Sequence, residues 1–96
     1  MAYRFDWDER KNKLNQKNHG IRFEDAQTVF FDDQALLIED PDHSAKEDRF
    51  LMLGISSSLR LMVVCHCYRE KGQVIRIISA RKAIKRERSQ YTAKLK

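Results

Sequence analysis

Four apolar runs follow one another through the second half of the chain, and the links between them are too short for any run to cross over to a parallel neighbour. The runs are Ala35–Glu39, Arg49–Ile55, Leu59–Tyr68 and Gln73–Ser79. A parallel connection takes about a dozen residues or more. Here the links are residues 40–48, the serines Ser56-Ser57-Ser58, and Arg69-Glu70-Lys71-Gly72, which reads as a hairpin turn. Asp40-Pro41-Asp42-His43-Ser44 reads as a turn or loop, because proline fixes φ and the Asp and Ser side chains bond locally. An antiparallel meander is the arrangement these links allow.

Helices flank the meander. Tyr3, Phe5 and Trp7 alternate with polar residues, the two-residue period of a short strand. Asp6-Trp7-Asp8-Glu9 then reads as a capping box, so a helix is expected over Trp7–Asn18. Trp7 and Leu14 form its thin apolar stripe, and Gly20 stops it. Phe23, Ala26, Val29 and Phe30 recur at helical spacing, with Glu24 and Asp25 where the dipole favours anions. A second helix is expected over residues 21–31. Ser79 is positioned to cap a last helix over Ala80–Lys94, with Ile84, Tyr91 and Leu95 on one face. The expected order is β-α-α-β-β-β-β-α. This is one α+β domain over residues 1–96: a four-stranded antiparallel sheet plus a short N-terminal strand, with two N-terminal helices and a C-terminal helix on one side.

Apolar residues make up 42% of the chain and charged residues 34%, the balance of a soluble globular domain. Its most apolar stretch, Leu59–Tyr68, carries Arg60 and His66 and is too short to span a bilayer. The first residues lack a basic segment followed by an apolar one. A cytoplasmic protein with no membrane association is therefore expected. Cys65 and Cys67 share one strand face, a poor geometry for a disulfide. His66 points the other way, so no metal set is expected from the three. No cofactor is expected either.

Charge is concentrated at one end. Residues 80–96 hold seven basic side chains against the single acid Glu87, a net +6, while residues 1–79 carry −1. Arg81, Lys82, Lys85 and Arg86 fall in the first two turns expected for the last helix. Cations there oppose the helix dipole, at a cost of about 0.3–1 kcal/mol each when exposed. A bound phosphate removes that conflict, because a helix N-terminus offers free N–H groups to anions. The pattern points to a nucleic acid; a solvated helix face and an acidic protein partner are the alternatives.

Other candidates lie outside that helix. Alternation places Arg76 with Val74 and Ile78, and Arg60 with Met62, Val64 and His66. Arg60, His66 and Arg76 are thus expected together on the sheet face away from the helices. An arginine inside an apolar strand, like Arg76, calls for a partner. Lys17-Asn18-His19-Gly20 ends the first helix, where His19 is either a proton-transfer group or a terminal cap. Cutting RNA without a metal needs a base for the 2′-hydroxyl, cations for the phosphate and an acid for the 5′-oxygen. His19, His66, Glu87, Tyr91, Lys17 and the arginines supply those types. No phosphate-binding glycine loop, nucleophile elbow or paired-carboxylate metal motif is present. A non-catalytic nucleic-acid-binding module and a pure interaction subunit remain open beside a ribonuclease.

Several motifs agree, in order and spacing, with one family. Phe5-x-Trp7-Asp8-x-x-Lys11 and Leu14-x-x-x-Asn18-His19-Gly20-Ile21-x-Phe23-x-x-Ala26 open the chain. Asp40-Pro41-Asp42-His43-Ser44 and Glu47-x-Arg49-Phe50 follow, then Arg76-Ile77-Ile78-Ser79-Ala80-Arg81-Lys82-Ala83, Arg86-Glu87-Arg88 and Tyr91. Together they resemble the BrnT toxins. Asn18 departs from the basic residue usual before the histidine of this motif, and Arg22 from the small polar cap expected before the second helix. The resemblance implies a RelE-like fold and a ribonuclease that arrests translation. It also implies a BrnA-type ribbon-helix-helix antitoxin, a toxin–antitoxin heterotetramer, and operator DNA reached only through that complex. Carried onto this sequence, it implies a catalytic set of Lys17, His19, Arg76 and Arg81, with Glu87 and Tyr91 as further members. Arg60, His66, Lys82, Lys85 and Arg86 are then candidates for binding RNA phosphates.

Overall fold

The computed structural model describes residues 4–38 and 49–95. Strand β1 (Arg4–Asp6) leads to helix α1 (Glu9–His19), short helix α2 (Phe23–Ala26) and a 3-10 turn (Gln27–Phe31). Strands β2 (Leu36–Ile38), β3 (Phe50–Ile55) and β4 (Leu61–Arg69) follow. A 3-10 turn (Glu70–Gly72) then leads to β5 (Val74–Lys82) and helix α3 (Lys85–Lys94). The element order is the expected one. The turn expected over residues 40–44 lies outside the described residues.

The five strands form one sheet in the order β1-β5-β4-β3-β2. Strands β2 to β5 pair antiparallel, as their short links require, and β1 adds parallel to β5, making the sheet mixed. A register shift interrupts the β4–β5 ladder: Cys65 lies opposite Ser79 but His66 lies opposite Ile77, leaving Ile78 unmatched. Residues directly opposite share a face. Arg76, Ser79 and Arg81, opposite Cys67, Cys65 and Val63, therefore all fall on one side. Simple alternation had placed Ser79 on the side away from Arg76; the extra residue moves it across.

The helices cover both faces rather than one. Ile21, Phe23, Ala26 and Val29 pack on Met62, Val64, Ile77 and Ala80. On the opposite face, Tyr91 of α3 packs with Leu51, Leu53, Val63 and Cys65.

Helix α1 buries asparagines instead of the expected apolar stripe. Leu14 is 56% exposed, while Asn12 and Asn15 are buried. Asn12 Oδ1 accepts the Phe23 N–H at 2.7 Å, and its Nδ2 donates to Glu9 and Glu24. Asp8, not Asp6, caps the helix by accepting the Arg10 N–H. Gly20 closes it in the left-handed region at φ 68°, its N–H donating to the Gln16 carbonyl. The second helix, expected as one unit, tightens into 3-10 geometry after Ala26.

The last helix begins five residues later than expected. Strand pairing with β4 holds the chain extended through Lys82, so Ser79 is a strand residue and Ile84 takes the cap position. Glu87 Oε1 accepts the Ile84 N–H at 2.9 Å. Arg81 and Lys82 are thus not in the helix, and of the four cations expected there Lys85 and Arg86 alone oppose its dipole. Ile84 and Leu95 are exposed, and the buried face of α3 is Glu87 with Tyr91.

Candidate active site

A groove of about 380 Å³ runs between α1 and the sheet, lined by residues that include Lys11, Asn18 and His19 of α1, Arg49, and Ser79 of β5. Phe50 lies opposite His66, so Arg49, one residue earlier, falls on the side of Cys67 and Arg76. Arg76 and Arg81 flank Ser79 on its own face of β5, about 7–10 Å away along the strand. Three segments distant in sequence thus bring a histidine, a hydroxyl and several cations to one side of the molecule.

Each arginine on β5 is held by an acid. Arg76 Nη1 donates to Asp6 Oδ2 across the parallel β1–β5 pair, which answers the demand for a partner. Arg81 donates through both Nη atoms to the Glu87 carboxylate, at 2.8 and 2.9 Å. This fork fixes the guanidinium plane as well as its position. Arg81 beside it holds the Glu87 carboxyl below its usual value; burial opposes this, and the Ile84 N–H assists. Glu87 is buried and its charge is committed to Arg81.

Tyr91 is committed too. Its hydroxyl donates to Asp32 Oδ2 at 2.6 Å. Burial, then the Asp32 carboxylate, push the phenol up to about 12. Burial also raises the Asp32 carboxyl, but the Ile55 N–H, the Tyr91 hydroxyl and the Gln34 N–H outweigh it and leave the group below its usual value. Such a tyrosine is poorly matched to proton transfer near neutrality.

The expected meeting of Arg60, His66 and Arg76 does not occur. His66 faces the 3-10 turn Gln27–Phe31, on the side of the sheet opposite to Arg76, and is fully buried with its ring 4.7 Å from that of Phe30. Burial pushes its pKa down, partly offset by the Val64 carbonyl. That carbonyl can only accept, so Nδ1 carries the proton and Nε2 accepts from the Tyr68 hydroxyl at 3.3 Å. A phosphate has no approach to this imidazole, which corrects its place among the phosphate-binding candidates. Arg60 instead reaches the end of α1, where its Nη1 donates to the Gly20 carbonyl beside His19.

The remaining candidates are exposed. Lys17 lies in the last turn of α1, outside the groove lining. Lys85 and Arg86 occupy the first turn of α3. Lys82 joins Arg60 in a second groove, of about 440 Å³, under α3. Sequence reasoning did not single out Lys11, Arg49 or Ser79 as groove residues. The bulge that turns Ser79 toward the groove has no glycine to announce it.

The class this fold and groove define is a small basic α+β domain whose cationic face suits an anionic backbone. The family model described as "Ribonuclease toxin, BrnT, of type II toxin-antitoxin system" matches residues 7–87, and the chain belongs to that family. The resemblance read from the motifs is therefore borne out, and membership brings an antitoxin partner with it. The fold matches the 1.1 Å crystal structure of the Brucella abortus ribonuclease toxin BrnT, with a TM-score of 0.65. The two are 22% identical over 88% of this chain and 100% of that one, a likeness that speaks for the fold alone. No curated protein sequence matches the chain. Among the described residues, no helix is long and apolar enough to cross a membrane.

Proposed function

We propose that this chain is a RelE-like endoribonuclease toxin that cuts RNA without a metal ion and so arrests translation. The observation that carries the reading is the groove joining His19 to Ser79, with Arg76 and Arg81 on the same strand face. The 2′-hydroxyl loses its proton and its oxygen attacks phosphorus. The bond to the 5′-oxygen breaks, and that oxygen takes up a proton. A 2′,3′-cyclic phosphate and a 5′-hydroxyl result. His19 is the group suited to moving a proton in this groove. Arg76 and Arg81 meet the charge that builds on the phosphate. Lys17, Arg60, Lys82, Lys85 and Arg86 attract flanking phosphates. Glu87 orients Arg81, and Tyr91 ties α3 to the sheet.

A BrnA-type ribbon-helix-helix antitoxin neutralises the toxin in a heterotetramer, and operator DNA is contacted only through that complex. The setting is the cytoplasm. The test is incubation of purified protein with free and ribosome-bound RNA in EDTA. Cleavage, abolished by His19→Ala or Arg76→Ala, is expected. RNA retained in a salt-sensitive complex but left intact would show a binding module instead.

A further inference from the structure

We propose that the second groove, between α3 and the β3–β4 turn, is the docking site of an acidic, leucine-anchored segment of the antitoxin. The proposal rests on reading the chain as the toxin of a toxin–antitoxin pair. Three cations, Arg60, Lys82 and Arg88, line this groove, and among the described residues no acid does. Its apolar part is aliphatic and includes Leu59, Leu61 and Leu95. A nucleobase is held best by stacking on aromatic rings. The one aromatic ring here among the described residues, Tyr91, is buried with its hydroxyl on Asp32. Aliphatic floor and cationic rim together match a peptide whose apolar side chains insert while its carboxylates meet the rim.

Leu59 carries the argument further. It sits at φ 65°, in the left-handed region that bulky side chains avoid, and is 85% exposed. Glycine or asparagine suits such a position better. The turn is not loose, however. Ser56 and Ser58 donate to Asp25 Oδ2, the Ser57 N–H donates to Thr28 Oγ1 at 2.7 Å, and the Leu59 N–H donates to the Ser56 carbonyl. A leucine is thus held outward by a pinned turn, with little apolar burial among the described residues to offset the backbone cost. A preorganised apolar anchor of this kind raises affinity for a partner that buries it.

Arg60 links this groove to the first through its bond to the Gly20 carbonyl. A docked segment therefore takes with its carboxylates the cations that serve RNA phosphates in the free toxin. Neutralisation is then competition for charge beside the active groove.

Leu59→Gly and Arg88→Glu test the proposal with the cognate antitoxin, purified from co-expression. Neither residue belongs to the proposed catalytic or RNA-binding set. Leu59→Gly relieves the backbone, so the melting temperature should hold or rise while antitoxin affinity falls on the order of tenfold, as for loss of a central anchor. Arg88→Glu should weaken binding by a similar factor and reduce its salt dependence. Cleavage of RNA by both variants, assayed separately, reads the ribonuclease proposal. Unchanged antitoxin affinity in both variants overturns the docking site, whatever the cleavage assay shows. Reduced cleavage with unchanged affinity assigns the groove to RNA instead. Absence of cleavage by the parent protein, with affinity lost in the variants, overturns only the ribonuclease proposal.

Discussion

The side-chain amide of Asn15 pairs at two points with the backbone of Ala80: its Nδ2 donates to the carbonyl at 2.9 Å and its Oδ1 accepts the N–H at 3.0 Å. Strand β1 pairs with Val74–Arg76, and among the described residues no strand neighbours the rest of that edge of β5. An asparagine on α1 stands in for one and closes an edge that otherwise invites another chain. The same Nδ2 also donates to the Ile21 carbonyl. Asn15→Ala leaves three backbone groups without these partners and should cost about 3 kcal/mol, at roughly 1 kcal/mol per group. Asn15→Asp should rescue little, because its carboxylate can accept one N–H but meets two carbonyls. Urea unfolding measures both; a loss under about 1 kcal/mol for Asn15→Ala would mean that water replaces the amide.

This pairing also marks where the sequence stops being legible. Link lengths gave the antiparallel order of β2 to β5, and helical spacing found Phe23, Ala26 and Val29, because apolar burial follows the period of the backbone. Asn12 and Asn15 break that logic. Their polarity reads as exposure, yet each is buried because backbone groups of other segments meet it. The start of α3 misled for a different reason. Ser79-Ala80-Arg81-Lys82 has good cap and helix residues, and the ladder to β4 on one side with the Asn15 amide on the other keeps it extended. The candidate site was half visible. His19, Arg76 and Arg81 stand out as residue types, but the common face of Arg76 and Arg81 depends on the bulge at Ile78, and His66 left the set because the β4–β5 register sets it opposite Ile77 rather than beside Arg76.

Acid should weaken the fold through His66. Burial lowers its pKa from 6.5, so the folded state resists a proton that the unfolded chain accepts. Stability from this source is fully present above the unfolded value and falls as pH drops below it, since the unfolded state then binds more protons. His66→Phe fits the ring cluster of Phe30, Phe50 and Tyr68 and removes the titration. The difference in unfolding free energy between the two proteins should change as pH falls below about 6.5 and be constant above it. A constant difference across the whole range would show that the imidazole titrates alike in both states.

Glu87 predicts a lower acid window. Arg81 depresses its carboxyl from 4.5, so its stabilisation is present above that value and disappears as pH falls through the folded one. Its side chain is only 5% exposed, but that of Arg81 is 38% exposed. Water therefore takes up part of the loss. Glu87→Ala should cost on the order of 2 kcal/mol, below the 3–5 kcal/mol of a fully buried pair. Glu87→Gln keeps the shape but loses the charged fork. If Glu87 positions Arg81, this variant should lower kcat more than it raises KM. Unchanged kcat in a folded Glu87→Gln protein would confine the residue to a structural role.

Tyr91→Phe separates a strut from an acid. Among the described residues the hydroxyl bonds Asp32 alone, which keeps its bonds from the Ile55 and Gln34 N–H groups after the change. The expected loss is about 1–2 kcal/mol, the value of one hydrogen bond to a charged group, with RNA cleavage retained. A variant that stays folded but loses cleavage by more than about a hundredfold would return the phenol to the list of proton donors.

His19 and Arg76 bear on the chemistry itself, and neither should matter much to the fold. His19 is exposed at the end of α1, where Gly20 supplies the helix stop without it. Arg76 is paired with a half-exposed Asp6, which water can solvate when the guanidinium is gone. Arg76→Ala should therefore change stability by about 1 kcal/mol or less, yet reduce cleavage because the phosphate loses its charge partner. His19→Gln keeps a polar side chain of similar reach but cannot move a proton near neutrality. It should leave RNA affinity within a few-fold and lower kcat by about 10²–10⁴, and with it the pH dependence of the rate. The discriminating measurement is single-turnover cleavage against pH for the parent and His19→Gln proteins. Two parallel profiles of equal height would remove His19 from the reaction, and the groove would then have to act through its cations alone.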